Sequence, residues 1–523
     1  MDTGYLLGID VGTTNTKAVV FDPAAGKVVA VADRPTVTRH PKPEWGEYDP
    51  AQLWEGIVAT VREATAGRAD SIKAVAVASM AEAGVPIDRD GRYLYPIIVW
   101  NDPRSEPQTR RWHDWLGPKR VFEITGQAIQ VKYTVNKLLW LRDNEPEVIR
   151  HTHKWLCIED FALWKFSGTY ATDYSVASRT MAFDQRARRW SSEMLGRAGF
   201  AADLMPEPHP SGTVVGQVTP QAAAETGLSP DTLVVTGGHD HLCGAFAAGN
   251  VGPGSLLDSM GTAEACLLVT DSFSTDQRLI DRGYCQYAYV MPDHYVVHFG
   301  IVASGEVLDW LVTQLWPEAA ESAEGRRRAF AAALAAAEAV PPGSEGVFWL
   351  PHLRGIATPW RDELSKAAMV GLTPAHGRGH FVRALLEGMS YWMRENLESL
   401  GEIIPVAREA ELTAIGGSTR AALWMQTRAD VTGRPVKIVE VPQAVAVGAA
   451  LLAGVGAGVF PSYEAATESV VRSATVYEPD PARHRAYSNY YEAVYRELYP
   501  TLKSVNQRIH EIFWSEGRLA GKG

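Results

Sequence analysis

Leu6-Leu7-Gly8-Ile9-Asp10-Val11-Gly12-Thr13-Thr14-Asn15-Thr16-Lys17-Ala18-Val19-Val20-Phe21-Asp22 is the stretch on which the fold turns. An apolar run ends at an acid, a turn rich in glycine and threonine follows over 12–17, and 18–22 is apolar again. That pattern predicts two strands joined by a tight turn. Ala24-Ala25-Gly26 then turns the chain into a third strand over 27–32. Leu53, Trp54, Ile57, Val58 and Val61 recur at helical spacing, and 72–78 returns to strand. A nucleotide-binding half of the βαβ type would place a helix after its first strand. Three strands, a helix and a strand is instead the order of an actin-like ATPase core.

The pattern recurs. Leu256-Leu257-Asp258-Ser259-Met260-Gly261-Thr262 runs into Leu267-Leu268-Val269-Thr270-Asp271, again strand, Gly-Thr turn, strand. At 523 residues the chain exceeds a single hydrophobic core, so the repeat predicts two domains of similar topology. The expected fold is α/β, with two actin-like (ribonuclease H-like) ATPase domains facing a central cleft. The glycine-rich stretch 244–254 marks the boundary, giving domains at 1–248 and 249–480 and a helical tail at 481–523. In that tail Tyr487, Tyr490, Tyr491, Val494, Tyr495 and Leu498 form a stripe expected to pack onto the body or onto a partner subunit, the body first.

Composition narrows the function. The chain is 46% hydrophobic with a formal charge of −11, which counts against nucleic acid or an anionic membrane as partner. Four cysteines (Cys157, Cys243, Cys266, Cys285) lie far apart with no CxxC pair, the usage of a reducing compartment. The N-terminus meets an acid too early for a signal peptide, and no apolar run nears the roughly 20 residues that span a bilayer. The expected location is cytoplasmic.

Three segments carry chemistry. In the first hairpin, backbone N–H groups and the hydroxyls of Thr13 and Thr14 suit phosphate oxygens, and Asp10 suits the metal that accompanies them. No Walker A sequence is present, so a P-loop is excluded. In Thr236-Gly237-Gly238-His239-Asp240-His241-Leu242-Cys243-Gly244-Ala245, an acid beside glycines at a strand end suits a general base at a domain cleft. In Leu412-Thr413-Ala414-Ile415-Gly416-Gly417-Ser418-Thr419-Arg420, followed by a helical stretch from Ala421, the glycines admit a flat ligand close to the backbone.

Together these pieces resemble the FGGY family of carbohydrate kinases over about residues 5 to 460. Lys137-Leu138-Leu139-Trp140-Leu141-Arg142-Asp143-Asn144 is similar to the core of its N-terminal signature. Gly371-Leu372, His380-Phe381 and Ala384-Leu385-Leu386-Glu387 are similar to its C-terminal one. Pro43-Glu44-Trp45-Gly46-Glu47-Tyr48-Asp49-Pro50 and Val99-Trp100-Asn101-Asp102-Pro103-Arg104-Ser105 resemble further landmarks. The resemblance implies ATP and Mg²⁺, with Asp240 as catalytic base and Asp10 and Asp240 beside the metal. It places Thr13, Thr14, Asn15 and Lys17 on a first phosphate loop and Gly261 and Thr262 on a second. Gly305, Gly416, Gly417 and Ala421 fall at nucleotide positions. Glu82 falls on the substrate, with Trp45, Asp102 and His241 as further wall residues.

The acceptor is less well defined. Ala81 stands where glycerol kinases carry an arginine, which argues against glycerol, and the Met-His pair typical of xylulokinases is absent. Lys132 is either a solvated loop lysine or a partner for a substrate carboxylate. The order of expectation is a ketopentose (xylulose or ribulose type), then a polyol (erythritol or xylitol type), then a sugar acid. A non-catalytic ATP or sugar sensor is the alternative from another class. Members of the family are often homodimers, but the sequence shows no interface.

Overall fold

The computed structural model describes residues 4–470 and 472–513. The first domain opens with β1 (Tyr5–Val11), β2 (Asn15–Asp22) and β3 (Lys27–Pro35), followed by α1 (Pro50–Ala64) and β4 (Ile72–Ser79). Asp49 caps α1, its carboxylate accepting from the Ala51 N–H at 2.9 Å, and Pro50 supplies the fixed φ of the first helical turn. After an insertion holding α2 (Thr134–Asn144) and α3 (Tyr174–Ser178), the domain ends with β5 (Val214–Gln217), β6 (Leu233–His239) and α4 (Asp240–Ala247). The sheet order is β5-β6-β4-β1-β2-β3. β1 pairs antiparallel with β2 and parallel with β4, and β4 pairs parallel with β6. The apolar runs of β1 and β4 are buried on both faces, whereas edge strand β3 alternates with solvent.

The second domain repeats this plan with β7 (Ser255–Met260), β8 (Glu264–Thr270), β9 (Cys285–Ala288) and β10 (Tyr295–Ile301). α5 (Gly305–Leu315), α6 (Arg378–Gly401), β11 (Glu411–Ile415), α7 (Ala422–Thr432), β12 (Val436–Glu440), α8 (Ala444–Gly456) and β13 (Ser473–Tyr477) follow. Its order is β9-β10-β8-β7-β11-β12-β13, so β10-β8-β7-β11-β12 matches β3-β2-β1-β4-β6. The repeat read from the two Gly-Thr stretches is therefore a repeat of topology.

Three particulars differ from expectation. The first turn is shorter than 12–17, because β2 already starts at Asn15 and Lys17 pairs across the ladder with Asp10. The domains also interlock beyond the cut at 248/249. α8 comes late in the chain yet packs on β1, β4 and α4 of the first domain. Gly8 permits that approach, since a Cβ there would stand 1.8 Å from the Ala446 carbonyl oxygen. One apolar cluster consequently joins Leu6, Leu242, Leu257 and Leu451 across both halves. Finally, the cut at 480/481 sets off no separate unit: the tyrosine stripe packs onto the body as expected, and does so within the core of the second domain.

In α9 (Pro481–Tyr490) and α10 (Arg496–Phe513), Tyr487 and Tyr499 are buried with Tyr491 and Tyr495 in the core of the second domain. Tyr391 stacks on Tyr491 at 5.9 Å between centroids, and Arg383 donates to the Tyr487 hydroxyl at 2.7 Å. Residues 514–523 of the expected tail lie outside the described residues. All four cysteines are buried and free, and among the described residues no helix is long and apolar enough to cross a membrane.

Candidate active site

Strand ends gather the site. Asp10 is the last residue but one of β1, Glu82 lies three residues past β4, and Asp240 follows β6 as the first residue of α4. All are carboxyl ends of parallel neighbours, where open α/β sheets bind ligands. A cavity of about 510 Å³ opens there, lined from the first domain by Thr13, Glu82, Lys132, Arg179, Asp240 and His241. The second domain supplies Glu264, Tyr287, His298 and Phe299, so both halves form its walls.

The turn that presents Asp240 is held rigidly. The Gly237 N–H donates to Glu159 Oε1 at 2.8 Å, and the His239 N–H donates to Ser175 Oγ at 2.8 Å. The His241 N–H then donates to Asp240 Oδ1 at 2.6 Å, and His239 Nε2 lies 3.3 Å from the same oxygen. The imidazoles of His239 and His241 stack at 5.5 Å. Burial raises the Asp240 pKa above the usual carboxylate range, with His241 opposing. Burial and the Arg179 guanidinium keep His239 well below its ordinary value, hence neutral.

Asp10 is pushed up to about 7, first by burial and then by Asp240, against the pull of Lys17. Two hard carboxylates near one another with so little counter-charge form a donor set that fits a divalent cation. Thr13 and Thr14 are exposed on the turn beside them, and the Gly12 N–H closes it on the Asn15 carbonyl at 3.0 Å.

Glu82 meets a partner that the sequence did not reveal. Arg179, directly after α3, donates to Glu82 Oε1 from Nε at 2.9 Å and from Nη2 at 2.5 Å. The guanidinium beside Glu82 comes from a segment 97 residues further along the chain. Burial would raise Glu82, but Arg179, Lys132 and Lys137 outweigh it and hold the carboxylate charged. Arg179 is sandwiched near the rings of Tyr133 (5.4 Å) and Tyr287 (5.0 Å), and its Nη1 is buried without a partner.

Lys132 is a cavity residue rather than a solvated one, and burial beside Arg179 lowers its pKa to about 8. Lys137, fully buried in α2, donates to the carbonyls of Lys132 and of Trp100 (3.4 Å). It therefore ties two wall segments together.

Trp45 and Asp102 require correction as wall residues. Both Asp102 oxygens are consumed by Arg104 and by the Gly46 N–H at 2.7 Å, and its side chain is wholly buried. Trp45 lies over the Arg104 guanidinium at 4.0 Å and edge-on to Trp140. They brace the wall from behind, outside the cavity lining.

Of the nucleotide positions, Gly261 and Thr262 are exposed on the second turn, and the Gly305 N–H donates to the Gly261 carbonyl at 3.1 Å. Gly416 and Gly417 are exposed at the end of β11. Ala421 is buried behind them, its N–H donating to the Ser418 carbonyl at 3.1 Å. Besides Arg179, the sequence reading passed over His239, Tyr287 and His298 as walls. His239 adjoined the base; the other two sit on strands with no local signal.

Residues 5–247 match the N-terminal domain of the FGGY family of carbohydrate kinases, and 259–457 match its C-terminal domain. A xylulose kinase of Bacillus subtilis is 28% identical over 509 residues, covering 97% of this chain and 98% of that protein. A gluconokinase of the same organism is 27% identical over 474 residues, covering 90% of each. The crystal structure of xylulose kinase from Rhodospirillum rubrum superposes with a TM-score of 0.88 at 30% identity, covering 96% of this chain and 100% of the other.

Proposed function

Because this chain belongs to the FGGY family of carbohydrate kinases, we propose that it transfers the γ-phosphate of ATP to a hydroxyl of a ketopentose of the xylulose or ribulose type. Its membership makes it an ATP-dependent phosphotransferase with a sugar hydroxyl as acceptor. One observation carries the reading: Asp240, Thr13 of the first turn and the Glu82–Arg179 pair share a single cavity.

The chemistry follows from those groups. Asp240 accepts the proton of the attacking hydroxyl, and its raised pKa makes it a stronger base than an ordinary carboxylate. Glu82 accepts hydrogen bonds from sugar hydroxyls while Arg179 and neutral His239 offer further contacts. The N–H groups and hydroxyls of the two Gly-Thr turns face the phosphates, aided by Lys17. Asp10, with Asp240 beside it, would hold Mg²⁺, whose charge offsets that on the transferred phosphoryl group. Closing the two domains over both substrates would keep water from competing with the sugar. The ketose reading is supported by xylulose kinases that align over nearly the whole chain.

A second reading, a sugar acid, is favoured by Lys132. It lines the cavity in no ion pair among the described residues, near Arg179, whose Nη1 is buried without a partner. ADP release with Mg-ATP across ketoses, polyols and sugar acids separates these readings. A ketopentose is expected to turn over, with Asp240→Asn losing at least about 100-fold in kcat. If a sugar acid is the best substrate and Lys132→Ala impairs it selectively, the second reading holds. Binding without turnover on every compound would make the protein a sensor.

A further inference from the structure

Behind the second Gly-Thr turn lies a buried ionic cluster that the reaction as described does not use. Arg428, on α7, has no exposed surface. Its Nη1 donates to Glu264 Oε1 at 2.6 Å and also to Asp258 Oδ2. Glu264 Oε2 accepts from Ser304 Oγ at 2.7 Å. The backbone completes the arrangement: the Ser304 N–H donates to the Thr262 carbonyl at 2.9 Å, and the Glu306 N–H to the same oxygen at 3.2 Å. Gly416 rests against the strand that feeds this turn. With φ +103, it occupies a place where a Cβ would stand 2.5 Å from the Met260 carbonyl oxygen.

Three segments thus meet around the second turn: Glu264 of the turn is held by Arg428, the entry to α5 is tied to Glu264 through Ser304, and the loop leading into α7 rests on Met260 through Gly416. Each carries a residue assigned above to the nucleotide. Arg428 Nε and Nη2 are buried without partners, so the two carboxylates account for the polar contacts of this cation among the described residues. Asp258, Glu264 and Cys266 also lie close enough together to hold a metal ion. Arg428 already supplies positive charge to both carboxylates, which leaves a metal no role there.

Charge explains why such a cluster stands here. Glu264 follows Thr262 by two residues and lines the cavity, where an uncompensated carboxylate would repel nucleotide phosphates. Arg428 offsets that charge, and burial pushes Asp258 up to about 7, so the cluster sits near neutrality.

We propose that Arg428, Glu264 and Ser304 are positioning residues that set the second Gly-Thr turn for the phosphates of the nucleotide. This rests on the reading above that the turn faces those phosphates. The hydrogen bonds of the cluster run to the turn and the α5 entry and not to Glu82 or Arg179, and Ser304 and Arg428 lie outside the cavity lining that Glu264 shares.

Calorimetric titration of the full chain with ATP and with adenosine tests it, together with KM for the sugar. Glu264→Gln keeps the shape but removes the charge that holds Arg428, and Ser304→Ala removes one hydrogen bond. Each is expected to weaken ATP about tenfold with adenosine affinity changed less than about twofold, and Ser304→Ala, outside the cavity lining, should leave sugar KM within about twofold. Arg428→Lys, which keeps the charge but shortens the side chain whose Nη1 reaches both carboxylates, is expected to fall between wild type and Glu264→Gln. Equal weakening of ATP and adenosine would overturn the proposal, because general damage to the domain does that. Wild-type ATP affinity in both variants would overturn it too. Should Glu264→Gln fail to fold, the ATP-to-adenosine ratio in Ser304→Ala decides alone. Failure of the wild-type chain to bind ATP would instead overturn the nucleotide reading, and the clamp with it.

Discussion

The two Gly-Thr turns share a topology and differ in where their acids stand. Asp10 lies two residues before Gly12, and the equivalent position before Gly261 is Ser259. Asp258 is one residue further back, and in a strand that single step moves a side chain to the opposite face. Asp10 accordingly meets Asp240 and Lys17, whereas Asp258 turns inward to Arg428 and Cys266. One topology thus carries an acid beside Asp240 at the first turn and an acid turned to Arg428 at the second. On the proposed function, the first turn would hold a cation for the phosphates and the second would offer them backbone and hydroxyl donors.

Exchanging the acids tests that division most directly. Asp10→Asn is expected to lower kcat by about 100-fold or more, since it removes charge from the site where phosphoryl transfer depends on electrostatics. Ser259→Ala, the matching change in the second turn, should alter kcat by less than about threefold. Steady-state kinetics at saturating Mg-ATP provides the comparison. Similar losses in both variants would mean that the turns are functionally alike.

A smaller effect separates the sugar end from the nucleotide end. Arg179→Lys keeps a cation beside Glu82 but gives up its two-nitrogen grip on one oxygen. The sugar KM is expected to rise about tenfold, with the ATP KM within about twofold of wild type. Parallel rises in both constants would remove Arg179 from the substrate contacts and leave it a brace. Complete removal is less informative, because burying Glu82 unpaired costs about 3–5 kcal/mol in stability.

How far the sequence carried depended on whether a feature was local. The hairpins, the repeat, Asp10 and Asp240 are contiguous signals: an apolar run, an acid, then glycines. They were legible because strand period and turn chemistry act over a few residues. Glu82–Arg179 and Arg428–Glu264 join positions 97 and 164 residues apart, and no periodicity encodes such pairs. Asp102 shows the opposite error. Its position resembled a substrate contact, yet Arg104 two residues on satisfies both of its oxygens. Lys132 was ambiguous because burial of a loop lysine is decided by the walls around it, here Tyr133 and Tyr287 from different domains. The place of α8 was also hidden, since the chain leaves the first domain and returns to it some 200 residues later.

The smallest expected effect bears on the two acids again, now through stability. Burial raises both Asp10 and Asp258 to about 7, from a model-peptide value near 3.8. A raised carboxyl holds in the folded state a proton that the unfolded chain has released. Folding is therefore favoured at the acid end and loses stability as pH climbs from about 4 to about 7. Above that window the folded chain bears a charge it disfavours. For Asp10 the nearest charge besides Lys17 is another acid, so Asp10→Asn should raise Tm by a few degrees at pH 8 without divalent cations, and by less at pH 5. Asp258 faces Arg428 instead, and Asp258→Asn removes one of the two carboxylates on a buried guanidinium. That variant should melt lower than wild type at pH 8. Melting curves at both pH values decide the matter. If both variants moved in one direction at pH 8, the contrast between an acid held for the cleft and an acid held for the core would fail.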